Sequence, residues 1–170
     1  MILHSFNERL LTELPERRED RMSSATPAEV LARRSQLILN GDADGFAALF
    51  APDAVIESSF AGPPGTPARL AGREAIREYS RRVMASPLRL EDFEVAELYQ
   101  TQDPEVVITE MRATGTVTTT GRAFTTTSVQ IIRIRDGHIV HSRDFADPRI
   151  LEEATGRGGG NHGPFGEKSS

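Results

Sequence analysis

The chain contains no cysteine among its 170 residues. This absence excludes disulfide bonds, thiolate catalysis and every cysteine-based zinc or iron–sulfur site. The chain also lacks an excess of positive charge, since its formal net charge is −5 at pH 7. Without a broad basic surface we expect neither nucleic acid nor an anionic membrane as a partner, which leaves small molecules and proteins.

Long hydrophobic runs are missing as well. None approaches the roughly 20 apolar residues that a membrane-spanning helix needs, and the N-terminal stretch MILHSFNERLL has no apolar core of a signal peptide. We therefore expect a cytoplasmic protein without a membrane partner.

The length fits one domain with terminal additions. Residues 1–25 become strongly charged after a short amphipathic piece, which predicts a loosely ordered extension. Residues 156–170 are rich in glycine and poor in apolar side chains, which predicts a flexible tail. The folded domain is expected over residues 26–155.

Three helices are predicted in the first half of this domain. Thr26 begins a capping box with a proline at the first helical position and Glu29 at the third, so the first helix should run to Leu39. A short second helix over 45–50 would take Asp44 as its N-cap, and the third is expected over 73–84.

The second half changes from helical to alternating periodicity and is rich in β-branched residues. Asp136-Gly137 is a strong signal for a type I′ hairpin turn. Helices followed by hairpin-linked strands predict an α+β fold, with a curved antiparallel sheet wrapped around three N-terminal helices to form a cone with an internal pocket. The strands are expected at 53–60, 90–100, 105–120, 122–135 and 138–146, with a loop over 61–72.

The strings ALFAPDAVIE and GREAIREY, followed by the closing RDGHIVHSRDFADP, carry a family resemblance. Over residues 27–155 the chain resembles the nuclear transport factor 2-like superfamily, in particular the SnoaL-like polyketide cyclases and the ketosteroid isomerases. It is also similar to the phenazine-biosynthesis A/B proteins. The resemblance implies the cone-shaped fold, which serves many reactions and also non-catalytic binding.

Ketosteroid isomerases place a general-base aspartate at the position that falls on Ser58 here. Their oxyanion tyrosine falls on Ser35 and the partner acid on Gln130. A serine hydroxyl cannot replace a carboxylate base near neutral pH, so steroid isomerisation by that route is not expected.

The limonene-type epoxide hydrolases resemble this chain in fold, but only one of their functional positions is kept. Asp144 survives, and the SRDF string gives it the place of the single general acid/base of SnoaL-like cyclases. The remaining epoxide hydrolase positions fall on Ala113, Met111, Ile56 and Ser58.

Successive side chains of a strand point to opposite faces of the sheet, so alternation predicts which residues share the face of Asp144. In the resembling families the set that contains Asp144 faces inward. The inward set predicted in this way comprises Val140, Ser142, Asp144 and Ala146 on the last strand, Met111, Ala113, Gly115 and Val117 on one neighbour, and Ser128, Gln130 and Ile132 on another.

The opposite face would carry Ile139 and Arg143 of the last strand together with Glu110 and Arg112. This face is commonly a dimer interface in the superfamily. The resemblance therefore implies a homodimer through the outer sheet face, with a contact between Arg143 and Glu110.

Asp144 is the predicted catalytic residue, because an apolar setting would raise the pKa of its carboxyl and let it hold a proton near neutrality. Gln130 and Ser58 are candidates to hold a carbonyl oxygen or to anchor that carboxyl. A buried position on the third helix favours a core role for Tyr79, although its hydroxyl could reach the pocket. The predicted substrate-binding set is Gln130, Ser58, Ile56, Met111, Ala113, Val117, Ile132, Ser142 and Tyr79.

The sequence thus predicts a cofactor-independent enzyme that cyclises, isomerises or dehydrates a hydrophobic, carbonyl-bearing small molecule. No metal is expected, since His138 and His141 lie three apart on one strand and diverge. An epoxide hydrolase or hydroxylating enzyme would need a water-positioning set that is not found in the sequence. Two further alternatives stay open. In the first, Asp144 pairs with an arginine or caps backbone groups at the sheet edge. In the second, the whole domain is a non-catalytic module that binds small molecules or interacts with proteins.

Overall fold

The computed structural model describes residues 25–149. Nearly all of the predicted extension over 1–25 and all of the predicted tail over 156–170 lie outside these residues. The elements in chain order are α1 Pro27–Leu39, α2 Ala43–Ala48, β1 Phe50–Ser58, β2 Ala68–Ala71, α3 Arg73–Met84, β3 Leu88–Gln100, β4 Val106–Val117, β5 Arg122–Arg135 and β6 His138–Asp144.

The start of α1 follows the predicted capping box. The Thr26 hydroxyl accepts from the backbone N–H of Glu29 at 3.3 Å, and the Glu29 carboxylate accepts in return from the Thr26 N–H at 2.7 Å. The predicted cap of α2 is wrong, because Asp42 accepts from the Gly45 N–H at 2.8 Å. Asp44 instead lies in the first turn of α2, where its carboxylate pairs with Arg81 at 2.7 Å.

The α+β class and the curved sheet are confirmed, with six strands in the order β2-β1-β6-β5-β4-β3. The expectation of a purely antiparallel sheet is wrong at one pair, since β1 and β6 are parallel. The predicted loop over 61–72 contains β2, which pairs with β1. The turn between β5 and β6 has φ of 50° at Asp136 and 74° at Gly137, in agreement with a type I′ turn.

A hydrophobic core joins the helices to part of the sheet. Val30 and Leu31 of α1 are each 2 % exposed, and Ile76 of α3 is fully buried. Burying a side chain of this size contributes about 1.5–3 kcal/mol. Within the part of the chain that the structure describes, no helix is long and apolar enough to span a membrane. The buried core residues are Val30, Leu31, Leu49, Phe50, Ala54, Ile76, Val107, Ile132, Ile134 and Ile139.

A bulge in β6 changes which of its side chains face inward. Arg133 pairs with His141 but Ile134 pairs with Ile139, so Val140 is the extra residue on β6. Ile139 is 1 % exposed and belongs to the core. The predicted outward position of Ile139 and inward position of Val140 are therefore wrong, because strict alternation does not hold across a bulge.

Candidate functional site

A cavity of about 690 Å³ lies between α1, α3 and the inner face of the sheet. Cavities of roughly 300–1,000 Å³ are typical of small-molecule sites. Much of its wall is apolar, with Ile38, Phe46, Ile56, Phe93, Met111 and Ala113 among the lining residues. This composition suits a ligand with an extended hydrophobic body.

One row of polar residues crosses the cavity wall on three adjacent strands. Ser58 of β1 is the register partner of Asp144 of β6, and Asp144 is the partner of Gln130 of β5. All three residues line the cavity. The parallel pairing of β1 with β6 brings Ser58 into this row, and Ile56 is placed beside Ser142 in the same way.

The Asp144 carboxyl is partly buried in this wall. Burial raises its pKa above the ordinary aspartate value, because removal from water disfavours the charged form. The positive charge of Arg34 and hydrogen bonds from Ser128 and Gln130 oppose this rise. The Ala146 N–H also donates to the carboxylate, at 3.1 Å. Asp144 is thus a desolvated acid that is held in place by donors.

Arg34 is a functional candidate that sequence reasoning missed. It lies on α1 and lines the cavity while only 8 % exposed. Its Nη1 donates to Gln130 Oε1 at 2.8 Å, and its guanidinium carbon lies 5.8 Å from the Phe93 ring centre. Position 34 follows Val30 by four residues, so its place on the apolar face of α1 could have been recognised from the helical period.

Burial and a neighbouring charge act on the guanidinium of Arg34 in opposite directions. Burial lowers the pKa of the guanidinium to about 10, and the negative charge of Asp144 acts in the opposite direction. Arg34 therefore keeps its positive charge at neutral pH. Together, Arg34, Gln130 and Asp144 connect α1 through β5 to β6.

Tyr79 of α3 also lines the cavity. Burial raises the pKa of its hydroxyl, the negative charge of Asp144 raises it further, and Arg82 has the opposite effect. The hydroxyl consequently stays protonated at neutral pH and keeps its capacity to donate a hydrogen bond.

Two predicted substrate-binding residues do not line the cavity. Ile132 is fully buried in the main core, and Val117 packs with Phe124 in a second cluster. Both lie on the inward strand face, but neighbouring side chains cover them. The predicted residues that do line the cavity are Asp144, Gln130, Ser58, Ile56, Met111, Ala113, Ser142 and Tyr79.

Within a single chain, Arg143 and Glu110 of the outer sheet face contact other residues, and a contact between them across a dimer interface stays a prediction. Arg143 Nε lies 3.8 Å from the carboxylate of Glu57, not beside Glu110 of the same chain. Glu110 instead accepts a hydrogen bond of 2.9 Å from the Tyr99 hydroxyl. Among the described residues there is no group of three or more histidine, aspartate and glutamate side chains that could hold a metal ion.

Relatives of the chain were identified from both its sequence and its fold. The sequence profile of the SnoaL-like domain matches residues 32–142. An uncharacterized PhzA/B-like protein of Pseudomonas aeruginosa is 36 % identical over 128 residues, which cover 75 % of this chain and 89 % of that protein.

Solved structures share the fold. A Bacillus subtilis protein that is provisionally assigned as an isomerase superimposes with a TM-score of 0.69 and is 30 % identical in sequence. The match covers 76 % of this chain and 91 % of that protein. IdmH of Streptomyces antibioticus, provisionally assigned as a polyketide cyclase, has a TM-score of 0.59 at 28 % identity, with 78 % and 99 % covered. With the profile match to residues 32–142, these findings show that the chain belongs to the SnoaL-like domain family of the nuclear transport factor 2-like superfamily.

Proposed function

We propose that the protein is a cofactor-independent enzyme that uses Asp144 for general acid/base catalysis on a hydrophobic, carbonyl-bearing small molecule. The observation that carries the proposal is the position of Asp144, a carboxyl with a raised pKa in the wall of a largely apolar cavity. A pKa nearer to the working pH improves an acid/base catalyst. The cyclase and isomerase assignments of the relatives agree with this chemistry.

The reaction would begin with proton transfer from the carbon beside the carbonyl group to the Asp144 carboxylate. The C–H bond breaks, its electron pair forms the enolate, and negative charge develops on the carbonyl oxygen. Ser58 and Tyr79 line the same cavity, and their hydroxyls are the proposed donors to this oxygen. Protonated Asp144 then returns the proton to another carbon, which isomerises the substrate, or to a departing hydroxyl, which dehydrates it.

Cyclisation would begin with the same proton abstraction. The enolate carbon then attacks a second carbonyl group of the folded substrate, whose C=O π bond opens to an alkoxide that takes the proton from Asp144. The apolar wall would hold the chain in the conformation that brings the two carbons together. Such positioning lowers the barrier of an intramolecular reaction without any further catalytic group.

Exchange of carbon-bound protons tests the proposal before the product is known. A panel of cyclic and polyketide-like ketones is incubated with the protein in D₂O, and loss of the α-proton signal is followed by NMR. We expect exchange with the wild-type protein, a loss of about 10²-fold or more in Asp144→Asn, and wild-type exchange in Asp53→Asn. Asp53 is an exposed aspartate of β1 and serves as the matched control.

Undiminished exchange in Asp144→Asn would overturn the catalytic role of Asp144. If instead a ketone binds to the wild-type protein in a saturable way without any exchange, the domain is a binding module, which is the alternative function.

We also propose that two copies of the chain associate through the outer sheet face. Val129 is 43 % exposed and Tyr99 is 47 % exposed, and their register partners lie on the neighbouring strand β4. Exposed apolar groups on a continuous sheet surface favour protein contact. Sedimentation of the wild-type protein should give twice the chain mass, and Val129→Arg should give a single chain mass. A wild-type monomer at micromolar concentration would contradict the proposal.

A further inference from the structure

A buried positive charge is the least expected feature of the cavity. Arg34 is 8 % exposed and lines the cavity, much of whose wall is apolar. Taking a charge out of water costs several kcal/mol unless a partner compensates it. Among the residues that the structure describes, no carboxylate lies within ion-pair distance of Arg34.

The hydrogen bonds of Arg34 leave part of the guanidinium unused. Nη1 donates to Gln130, but Nε is buried without a hydrogen-bond partner among the described residues. Native proteins rarely leave a buried donor unsatisfied, because its lost hydration costs free energy. Arg34 lines the cavity, but Nε itself has no open surface, so a ligand in the cavity would meet the terminal nitrogens of the guanidinium.

Gln130 and Phe93 fix the direction of this charge. Gln130 Oε1 holds one side of the guanidinium at 2.8 Å, and the Phe93 ring lies 5.8 Å from the guanidinium carbon. A planar cation with this support can bind an oxygen anion without losing further side-chain freedom. Asp144 accepts its hydrogen bonds from Ser128, Gln130 and Ala146, and its negative charge acts on Arg34 without a direct ion pair between the two described side chains.

We propose that Arg34 makes the cavity selective for ligands that carry an anionic oxygen, a carboxylate or the enolate of a β-dicarbonyl group, on a hydrophobic ring system. The inference rests on the proposed function in that it names the class of substrate for the same cavity. The anionic oxygen binds Arg34, and the apolar body contacts residues such as Phe93 and Met111.

A pair of ligands that differ only in charge tests this selectivity. Binding of 1-naphthoate and of its neutral counterpart 1-naphthamide is measured by titration calorimetry at pH 7. We expect naphthoate to bind the wild-type protein about tenfold more tightly or better, as a charge-assisted hydrogen bond allows. Arg34→Met should remove the preference, and Arg34→Lys should keep part of it.

Arg33→Met is the matched control, because Arg33 is the adjacent, exposed arginine of the same helix. It should keep the wild-type preference for naphthoate. Equal binding of the two ligands to the wild-type protein would overturn the proposal even if Arg34→Met failed to fold. An unchanged preference in a folded Arg34→Met protein would also overturn it.

The two proposals can fail separately. Equal binding of the two ligands to the wild-type protein, with continued proton exchange, would remove only the assignment of Arg34. An intact preference without exchange at any ketone would remove only the catalytic role of Asp144.

Discussion

Arg34 and Gln130 lie 96 residues apart in the sequence, and their side chains are joined by a buried hydrogen bond of 2.8 Å. Arg34 belongs to the first helix and Gln130 to the fifth strand. The bond therefore links the two layers of the fold at the cavity wall. It also determines the orientation of the Gln130 amide, whose oxygen accepts from Arg34 while its NH₂ group is left to donate toward Asp144.

Removing the acceptor from this pair should destabilise the protein. In Gln130→Leu the buried Arg34 loses its hydrogen-bond partner, and we expect the free energy of unfolding to fall by about 2 kcal/mol. Urea denaturation measures the change. Gln36→Leu, at an exposed site of α1, should have little effect. Equal stabilities of Gln130→Leu and the wild type would mean that the bond contributes nothing in solution.

The charge of Arg34 should lower the pKa of the Asp144 carboxyl, because a nearby positive charge favours the carboxylate. In Arg34→Met we expect this pKa to rise further above the wild-type value. NMR titration of the side-chain carboxyl carbon measures it, with Asp144→Asn used for assignment. Arg33→Met should leave the pKa unchanged, since exposed charges are screened. A fall in Arg34→Met would contradict the electrostatic coupling.

Asp144 should make the folded protein less stable as the pH rises. Its pKa is raised in the folded state, so between the unfolded and folded values the folded state binds more protons. The stability of the wild type should fall across this window as the carboxyl ionises. Asp144→Asn should therefore be the more stable protein at pH 7, and the difference should disappear below the pKa of the unfolded chain. Thermal unfolding from pH 3 to pH 8 measures it, and a less stable Asp144→Asn at pH 7 would contradict it.

Glu105 should show the opposite pH dependence. Hydrogen bonds from Arg135 and Arg133 lower the pKa of its carboxyl from 4.5 to about 2. Its contribution to stability is complete above the unfolded pKa and is lost as the pH falls through about 2. Glu105→Gln should reduce stability at pH 7, and the reduction should shrink in high salt and at low pH.

Glu78→Gln removes the same charge from an exposed site of α3 and serves as the control for Glu105. It should have little effect on stability. A loss in Glu105→Gln that is insensitive to both salt and pH would point to packing rather than to the ion pairs with Arg133 and Arg135.

Local sequence signals were sufficient for the elements whose causes are local. The capping box of Thr26 and Glu29 depends on residues three apart, and the hairpin at Asp136 depends on two adjacent residues that adopt positive φ. The inward face of β4, with Met111 and Ala113, follows from regular alternation without a bulge in that stretch. The order of helices before hairpin-linked strands predicted the α+β fold with a curved sheet, and the resemblance to the family implied the same fold.

Contacts between distant segments determined the rest of the site. The parallel pairing of β1 with β6 places Ser58 beside Asp144, and the bulge at Val140 sends Ile139 into the core and leaves Ser142 and Asp144 facing the cavity. The sequence by itself determined that an acid would stand near the end of the last strand of an α+β domain. Only the tertiary structure decided that Arg34 would share its cavity, because the environment of a buried charge depends on all the elements packed around it.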